Sequence, residues 1–172
     1  MPDIGSARPP TLIDTVWQLA YRIGFPLACL WWRLSRRRHE GALVAICVDG
    51  GLLLLRSSYR AAWNLPGGTV HPGEAPDAAV RRELSEEIGL ATDQPLQHLG
   101  TVTGLWEGRR DCVHLFELHL PALPPLRLDN REIIAARLVP WTDLAALALT
   151  GPVRAYVDRR LTTTTPDPSV ES

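Results

Sequence analysis

A single predicted helix carries the strongest constraint in this sequence, because it must bury one face and gather negative charge on another. Pro76 suits the first turn of a helix and Gly89 suits its C-terminal stop, so the helix is predicted from about Pro76 to Ile88. Val80, Leu84 and Ile88 recur at i, i+4 and i+8 along it. This apolar stripe is predicted to enter the core.

Three glutamates of the same helix, Glu83, Glu86 and Glu87, lie at i, i+3 and i+4. Side chains at this spacing are neighbours, about 5–6 Å apart at their Cβ atoms, and like charges so close destabilise a helix. A hard divalent cation, Mg²⁺ or Mn²⁺, is expected beside them because it prefers oxygen ligands and is often shared with substrate phosphates. The alternative is a solvated acidic face with Arg81 and Arg82 as local partners. The spacing favours the metal.

The segment from Gly68 to Leu90, GTVHPGEAPDAAVRRELSEEIGL, resembles the complete signature of the Nudix hydrolases. The matching positions are Gly68, Glu74, Arg82-Glu83-Leu84, Glu86-Glu87 and Gly89-Leu90. The resemblance covers roughly residues 41–150, since the lead-in 63–67 and a later segment beginning at Glu132-Ile133 are also similar to the family.

This resemblance implies an α/β (α+β) fold, an α/β/α sandwich with a mixed sheet and a metal-binding loop–helix–loop. It implies hydrolysis of a pyrophosphate linkage in a nucleoside diphosphate joined to another group, with Mg²⁺ or Mn²⁺ as cofactor. The implied metal ligands are Glu83, Glu86, Glu87 and the carbonyl oxygen of Gly68.

The resemblance also implies supporting and catalytic roles. Arg82 would orient Glu83, and Glu74 would support the loop or the metal site. The attacking water needs activation by a carboxylate or by a metal. Glu83 and Glu86 are candidate bases within the signature and Glu132 is a candidate outside it, and the sequence does not choose among them. The alternative for Glu132 is a surface residue at the start of a helix.

Selectivity for one substrate is expected from residues outside the signature. Aromatic rings can stack on a base, and guanidinium groups can bind phosphate. The candidates of these two types are Arg56, Tyr59, Arg60, Trp63, Trp106, Arg109 and Arg110. The alternative for each is an ordinary packing or surface residue, which is the commoner case. Which nucleoside diphosphate derivative is cleaved stays open.

Residues 11–38 lie outside the resemblance and form an N-terminal appendage. Asp14, Gln18 and Arg22 recur every four positions among apolar residues, which predicts an amphipathic helix, and Thr11 with Asp14 resembles a capping box. A kink or break is predicted at Pro26, because its ring would collide with the carbonyl group of Arg22 in a continuous helix.

Two interpretations of this appendage remain open. The longest uncharged run, 23–32, contains a proline and is shorter than the roughly 18 residues that a membrane span needs. A secretory signal is not favoured, because the arginines follow the apolar run. Either the helix packs on its own domain, or it lies in a membrane interface. In the second case Trp17, Trp31 and Trp32 lie at headgroup level and Arg33 with Arg36–Arg38 contact anionic lipid.

The rest of the chain predicts one compact domain over 39–161, followed by a disordered tail over 162–172. A hairpin, 42–48 with 52–55, is followed after the signature by strands at 96–105, 112–120 and 136–139 and by helices at 142–149 and 152–161. The 18 basic residues against 19 acidic ones exclude the strong basic excess of a general nucleic-acid binder. Three cysteines without a CxxC pair favour a reducing cytoplasm.

Three functions are carried forward from the sequence. The first is a metal-dependent pyrophosphohydrolase acting on a small nucleotide substrate. The second is a Nudix-like binding module that senses a nucleotide metabolite without turnover. The third, compatible with the first, is an enzyme peripheral to the inner face of the membrane that acts on lipid-linked precursors. The oligomeric state is open, and a homodimer is one option.

Overall fold

The computed structural model describes residues 9–35, 39–106 and 109–164. The helices are α1 (Leu12–Ser35), α2 (Pro76–Ile88) and α3 (Gly151–Thr164), with a 3₁₀ helix at Trp141–Ala146. The strands are β1 (His39–Val48), β2 (Gly51–Ser57), β3 (Gly67–Thr69), β4 (Gln97–Trp106), β5 (Arg109–His119) and β6 (Ile133–Pro140).

The six strands form one mixed sheet in the order β4-β5-β1-β2-β6, and β3 pairs with β1. β1 runs parallel to β5, with His39 opposite Asp111 and Cys47 opposite His119. β2 and β3 are both antiparallel to β1. The parallel pair needs a long crossover connection, and this connection carries the signature helix α2. The mixed sheet and its helices confirm the predicted fold class.

Helices cover both faces of the sheet. On one face, alternate residues of β1 pack with the buried stripe of α2: Ala42, Val44 and Ile46 with Val80, Leu84 and Ile88. On the other face, the remaining residues pack against α3: Leu43, Ala45 and Cys47 with Val153, Tyr156 and Val157. A strand buried on both faces has no polar alternation, which explains the continuous apolar run of β1.

Several local predictions are confirmed. Helix α2 has the predicted bounds, and Gly89 ends it in the left-handed conformation at φ 67°, where glycine avoids a Cβ penalty. The hairpin turn is built from Asp49 at φ 40° and Gly50 at φ 72°.

Two predictions are corrected. The helix predicted at 142–149 is a shorter 3₁₀ helix, and α3 continues to Thr164, past the predicted start of the tail at 162. Residues 165–172 lie outside the described residues.

Helix α1 begins with the predicted capping box. The Thr11 N–H donates to Asp14 Oδ2 at 2.8 Å, and the Asp14 N–H donates to Thr11 Oγ1 at 3.3 Å. Of the predicted kink or break at Pro26, the break is wrong, because α1 continues through Pro26 to Ser35. Proline removes one hydrogen bond there, and contacts of the neighbouring Phe25 with the domain hold that turn in place. No described helix is long and apolar enough to cross a membrane.

Candidate active site

Strand β3 brings the backbone of two glycines against α2. Gly67 has φ 128°, and a Cβ there would lie 2.2 Å from the carbonyl oxygen of Ala42. A Cβ on Gly68 would lie 2.4 Å from Oε1 of Glu83. At Gly67 the backbone of β1 leaves no room for a side chain, whereas at Gly68 a side chain would displace the Glu83 carboxylate. The signature glycine therefore lets the loop backbone touch a glutamate of the helix.

Glu87 is anchored by this loop. Its Oε2 accepts a hydrogen bond from the Gly67 N–H at 2.9 Å. Burial raises the pKa of Glu87 well above its ordinary value, the Gly67 hydrogen bond opposes this shift, and the nearby Glu83 and Glu132 add to it. A carboxylate with these surroundings is stabilised by a cation placed beside it.

Glu83 lies next to Glu87 on the same face of α2. Burial raises the pKa of Glu83, the Arg82 hydrogen bond lowers it, and the charges of Glu86 and Glu132 raise it further. Its side chain is only 16% exposed, whereas that of Glu86 is 60% exposed. Before Glu87 the helix thus presents a sheltered carboxylate at Glu83 and a solvated one at Glu86.

Arg82 joins the glutamates of the loop to those of the helix. Its Nε donates to Glu74 Oε1 at 2.9 Å and its Nη2 to Glu74 Oε2 at 3.1 Å, which is a bidentate pair. Its Nη1 donates to Glu83 Oε1 at 2.8 Å and to Glu86 Oε2 at 3.4 Å. Hydrogen bonds from Arg82 and from the His71 N–H lower the pKa of Glu74 to about 2.

A cavity of about 550 Å³ opens beside these groups. Its wall includes Gly68, Glu83 and Glu87 from the signature, together with Glu132 and Asp111 from elsewhere. The predicted substrate residues on its wall are Tyr59, Arg60 and Trp106. Four carboxylates therefore face one cavity, and a polyanionic ligand meets repulsion there unless cations accompany it.

Glu132 is held in place by Tyr59, whose hydroxyl donates to Glu132 Oε1 at 2.5 Å. Burial raises the pKa of Tyr59, and so do the charge and hydrogen bond of Glu132. Asp129 fixes the preceding loop, because its carboxylate accepts from the N–H groups of Glu132 at 3.0 Å and Ile133 at 2.8 Å. The carboxylate of Glu132 thus has a defined position on the cavity wall.

A basic surface cleft adjoins the cavity. It is lined by Arg22, Arg56, Ser57, Ser58, Tyr59, Arg60, Ala61 and Ile134, and it shares Ser57, Tyr59 and Arg60 with the cavity. In the described part of the chain, Ser58 Oγ and Arg56 Nε are buried without a hydrogen-bond partner. Oxygen anions such as phosphate are the natural ligands of this group of side chains.

Not every predicted residue lies at the cavity. Arg56 lines the cleft, and Trp63 is only 6% exposed in the core, with the guanidinium groups of Arg56 and Arg137 over its ring at 5.3 and 4.9 Å. Arg82 and Glu86 stand beside the cavity without lining it. Arg110 is exposed, and the side chain of Arg109 lies outside the described residues.

The structure also adds residues that the sequence did not single out. Arg22 and Phe25 come from α1, and Asp111 comes from β5. No local pattern marked them, because the packing of α1 and the pairing of β5 bring them to the site. Helical spacing places Gln18 and Arg22 on one stripe, but it does not say what that stripe contacts.

The residues present fit a divalent cation in donor chemistry. All the proposed donors are oxygen atoms, and the sheltered pair Glu83 and Glu87 lies against a glycine cradle at Gly68. Gly41 and Gly68 both line the cavity, and an added Cβ on Gly41 would come 3.3 Å from the Gly68 carbonyl oxygen. In the described residues, no three Asp, Glu, His or Cys side chains converge closely enough to form a metal-binding group. Arg82 holds Glu83 and Glu86 instead.

Known proteins share sequence and fold with this chain. The family model for the NUDIX domain matches residues 37–161. Diphosphoinositol polyphosphate phosphohydrolase 3-alpha of Mus musculus is 34% identical over 87 residues, which is 51% of this chain and 43% of the relative. The RNA pyrophosphohydrolase of Proteus mirabilis is 41% identical over 49 residues, which is 28% of each protein.

A solved structure shows the same architecture. The MutT NUDIX hydrolase from Burkholderia pseudomallei superposes with a TM-score of 0.63 at 27% identity, covering 71% of this chain and 97% of that one. The chain spans less than half the length of these two curated relatives. The match of the family model covers the sheet, the signature helix and every lining residue of the cavity except Phe25, and so the chain belongs to the Nudix family.

Proposed function

We propose that this protein is a metal-dependent pyrophosphohydrolase that cleaves a nucleoside diphosphate joined to another group. The observation that carries the proposal is the shared cavity wall of Glu83, Glu87 and Glu132 beside the Gly68 backbone. A pyrophosphate is itself an anion, so four carboxylates around one cavity favour a ligand that enters together with cations.

The metal would be Mg²⁺ or Mn²⁺, and members of the Nudix family generally use divalent metal ions. Glu83, Glu86, Glu87 and the Gly68 carbonyl oxygen are the proposed ligands. When bound, the metal would neutralise phosphate oxygens and the leaving group. Arg82 is proposed as a positioning residue, because it holds Glu83 and is itself held by Glu74.

Glu83 and Glu132 are better placed than Glu86 to accept a proton from the attacking water. Both line the cavity, while the Glu86 side chain is 60% exposed and does not line it. For Glu132, the hydrogen bond from Tyr59 fixes one carboxylate oxygen and leaves the other for water. We therefore propose a base on the cavity wall.

The substrate would contact Tyr59, Arg60 and Trp106 in the cavity. Trp106 packs against Gly104 and Gly151, where an added Cβ would lie 2.5 and 2.0 Å from its ring. Its place on the cavity wall supports a contact with a nucleobase, because aromatic rings stack on bases. Arg22 and Arg56 in the cleft would bind a further phosphate. The burial of Trp63 supports a packing role for that residue.

A reducing cytoplasm is proposed as the location, in keeping with three widely spaced cysteines that include no CxxC pair. The proposed organisation is an appendage at 1–38 and a catalytic domain from 39 to the end of α3 at Thr164.

The test is a turnover assay with nucleoside diphosphate derivatives in Mg²⁺ or Mn²⁺. A diphosphoinositol polyphosphate and an RNA that ends in a pyrophosphate belong in the panel, because the two relatives are named after substrates of these classes. Glu87→Gln and Glu83→Gln are expected to lose at least a hundredfold in kcat. Asp77→Asn, an exposed carboxylate in the first turn of α2, is the matched control and keeps its activity.

Three results would contradict the proposal. Full turnover in the Glu87→Gln variant would remove the metal-ligand assignment. Full turnover in EDTA would show that the reaction does not depend on a divalent metal. Tight binding of one derivative without cleavage by the wild-type protein would favour a sensor of nucleotide metabolites instead.

A further inference from the structure

Helix α1 is attached to the domain by its polar side. The Asp14 carboxylate is 1% exposed and lies 3.7 Å from Arg131 Nε. Gln18 Nε2 donates to the Asn130 carbonyl at 2.8 Å, and Arg22 Nε donates to the Ser58 carbonyl at 3.0 Å. The polar stripe of this amphipathic helix therefore faces the protein rather than solvent, the reverse of the usual arrangement.

Aromatic rings complete this attachment. The Phe25 ring lies 4.6 Å from that of Tyr59, and Tyr21 lies 5.8 Å from Tyr59, measured between centroids. Arg60 places its guanidinium 4.6 Å from the centre of the Phe25 ring. Because Phe25 and Tyr59 line the cavity, α1 is docked directly beside it.

The apolar side of α1 is left open. Its exposed large apolar side chains are 47–87% exposed, and they are Leu12, Ile13, Val16, Trp17, Leu19, Ile23, Leu27, Leu30 and Trp31. In the rest of the described chain only Leu105 and Leu161 are exposed residues of this kind. One helix thus holds an apolar surface larger than scattered single side chains would form.

This surface carries no charge, and a basic cluster follows it. From 12 to 31 the charged residues are Asp14 and Arg22, and both are bonded to the domain. Arg33 and Arg36–Arg38 come next in the sequence. The side chains of Trp32 and Arg33 and residues 36–38 lie outside the described residues, so this step rests on their order in the chain.

We propose that α1 lies flat in the interface of an anionic membrane, with its open apolar face among the acyl chains and the following arginines at the headgroups. Uncharged apolar surface, exposed Trp17 and Trp31 and adjoining arginines are together typical of interfacial helices. At 24 residues the helix is about 36 Å long, which gives it room to lie along the surface. Anionic lipid is favoured over a second copy of this chain because a second α1 would bring four more arginines rather than their counter-charge.

The proposal has a consequence for the site but does not depend on the proposed hydrolysis. Membrane-bound α1 would hold the cavity wall at Phe25 close to the lipid surface.

Vesicle flotation of the full chain tests the docking surface. The probes are vesicles of phosphatidylcholine alone and vesicles with 30% phosphatidylglycerol, compared at low and high salt. Wild type is expected to float with the anionic vesicles and to be released by salt. The double variant Ile23→Ser/Leu27→Ser is expected to lose at least tenfold in partitioning. The triple variant Arg36→Gln/Arg37→Gln/Arg38→Gln is expected to lose on the order of a hundredfold. Leu161→Ser, an exposed apolar position on α3, is the matched control and floats like wild type.

Circular dichroism checks that each variant is folded, which is expected for Ile23, Leu27 and Leu161 because their side chains are exposed. Recovery of wild type in the unbound fraction with both vesicle types would overturn the proposal, and so would equal binding to both regardless of charge. Light scattering tests the alternative that a second copy of the chain covers the apolar face. A wild-type dimer that becomes a monomer in Ile23→Ser/Leu27→Ser would show that a second copy covers this face.

Discussion

The hydroxyl of Tyr59 lies 2.5 Å from Oε1 of Glu132 and donates a hydrogen bond to it, although the two residues are 73 positions apart. Tyr59 also stacks on Phe25 of α1. One phenol ring therefore connects a candidate base, the cavity wall and the N-terminal helix.

Removing that hydroxyl is expected to impair catalysis more than folding. A hydrogen bond to a charged group is worth about 1.5–3 kcal/mol, so Tyr59→Phe is predicted to lower kcat by about 10- to 100-fold. Tyr21→Phe keeps the ring that stacks on Tyr59 and serves as the control. An unchanged kcat in Tyr59→Phe would remove the role of this hydrogen bond in orienting Glu132.

A methyl group at Gly68 is expected to displace the Glu83 carboxylate. The added Cβ would lie 2.4 Å from Oε1 of Glu83, so Gly68→Ala is predicted to reduce kcat at least a hundredfold and to weaken the response to Mg²⁺. Gly24→Ala is the control, because a Cβ there meets nothing within 4 Å. In a helix interior this change is expected to stabilise the protein by about 0.5–1 kcal/mol. Wild-type kinetics in Gly68→Ala would contradict the cradle.

Acid is expected to remove the contribution of Glu74 to stability. Arg82 and the His71 N–H hold the pKa of Glu74 at about 2, below its ordinary 4.5. A depressed pKa contributes stability that is present above the unfolded value and is lost as pH falls from about 4.5 toward 2. Thermal midpoints of wild type and Glu74→Gln should therefore differ at pH 6 and converge near pH 2. A constant difference across this range would contradict the ion pair with Arg82.

Metal removal is expected to reverse the effect of a signature substitution on stability. Burial raises the pKa of Glu87, so its charged form is held at a cost in the metal-free protein. In EDTA near neutral pH, the thermal midpoint of Glu87→Gln is predicted to equal that of wild type or to lie about 2–4 °C above it. In excess Mg²⁺ wild type should gain stability and the variant should gain less. Asp77→Asn should follow wild type in both conditions, and an equal Mg²⁺ gain in Glu87→Gln would contradict the ligand assignment.

Local patterns predicted the signature helix well because their causes lie within a few residues. Pro76, Gly89 and the stripe of Val80, Leu84 and Ile88 set the bounds and the buried face of α2. The short strand β3 was not predicted. Its three residues have no apolar alternation, and it exists because Gly67–Thr69 pairs with β1 and packs against α2.

The 3₁₀ helix and Trp63 also show that local sequence patterns do not decide tertiary contacts. The apolar spacing after Trp141 is compatible with an α-helix, but only the short 3₁₀ turn forms, and it buries Leu144. Trp63 lies before the signature like the substrate candidates Tyr59 and Arg60, and yet it packs in the core between two arginines. Neighbours in sequence thus enter different surroundings.

Helix α1 shows most clearly what the sequence decides and what the tertiary structure decides. The sequence by itself determined its amphipathic period, its capping box, the glutamates of α2 and the family signature, because these depend on spacings of a few residues along one element. Only the tertiary structure decided that the polar stripe of α1 contacts the domain, that Arg22 and Phe25 reach the site, and that Tyr59 bonds Glu132. Those outcomes depend on which surfaces of distant segments meet, and the period of a helix defines its two faces without defining their partners.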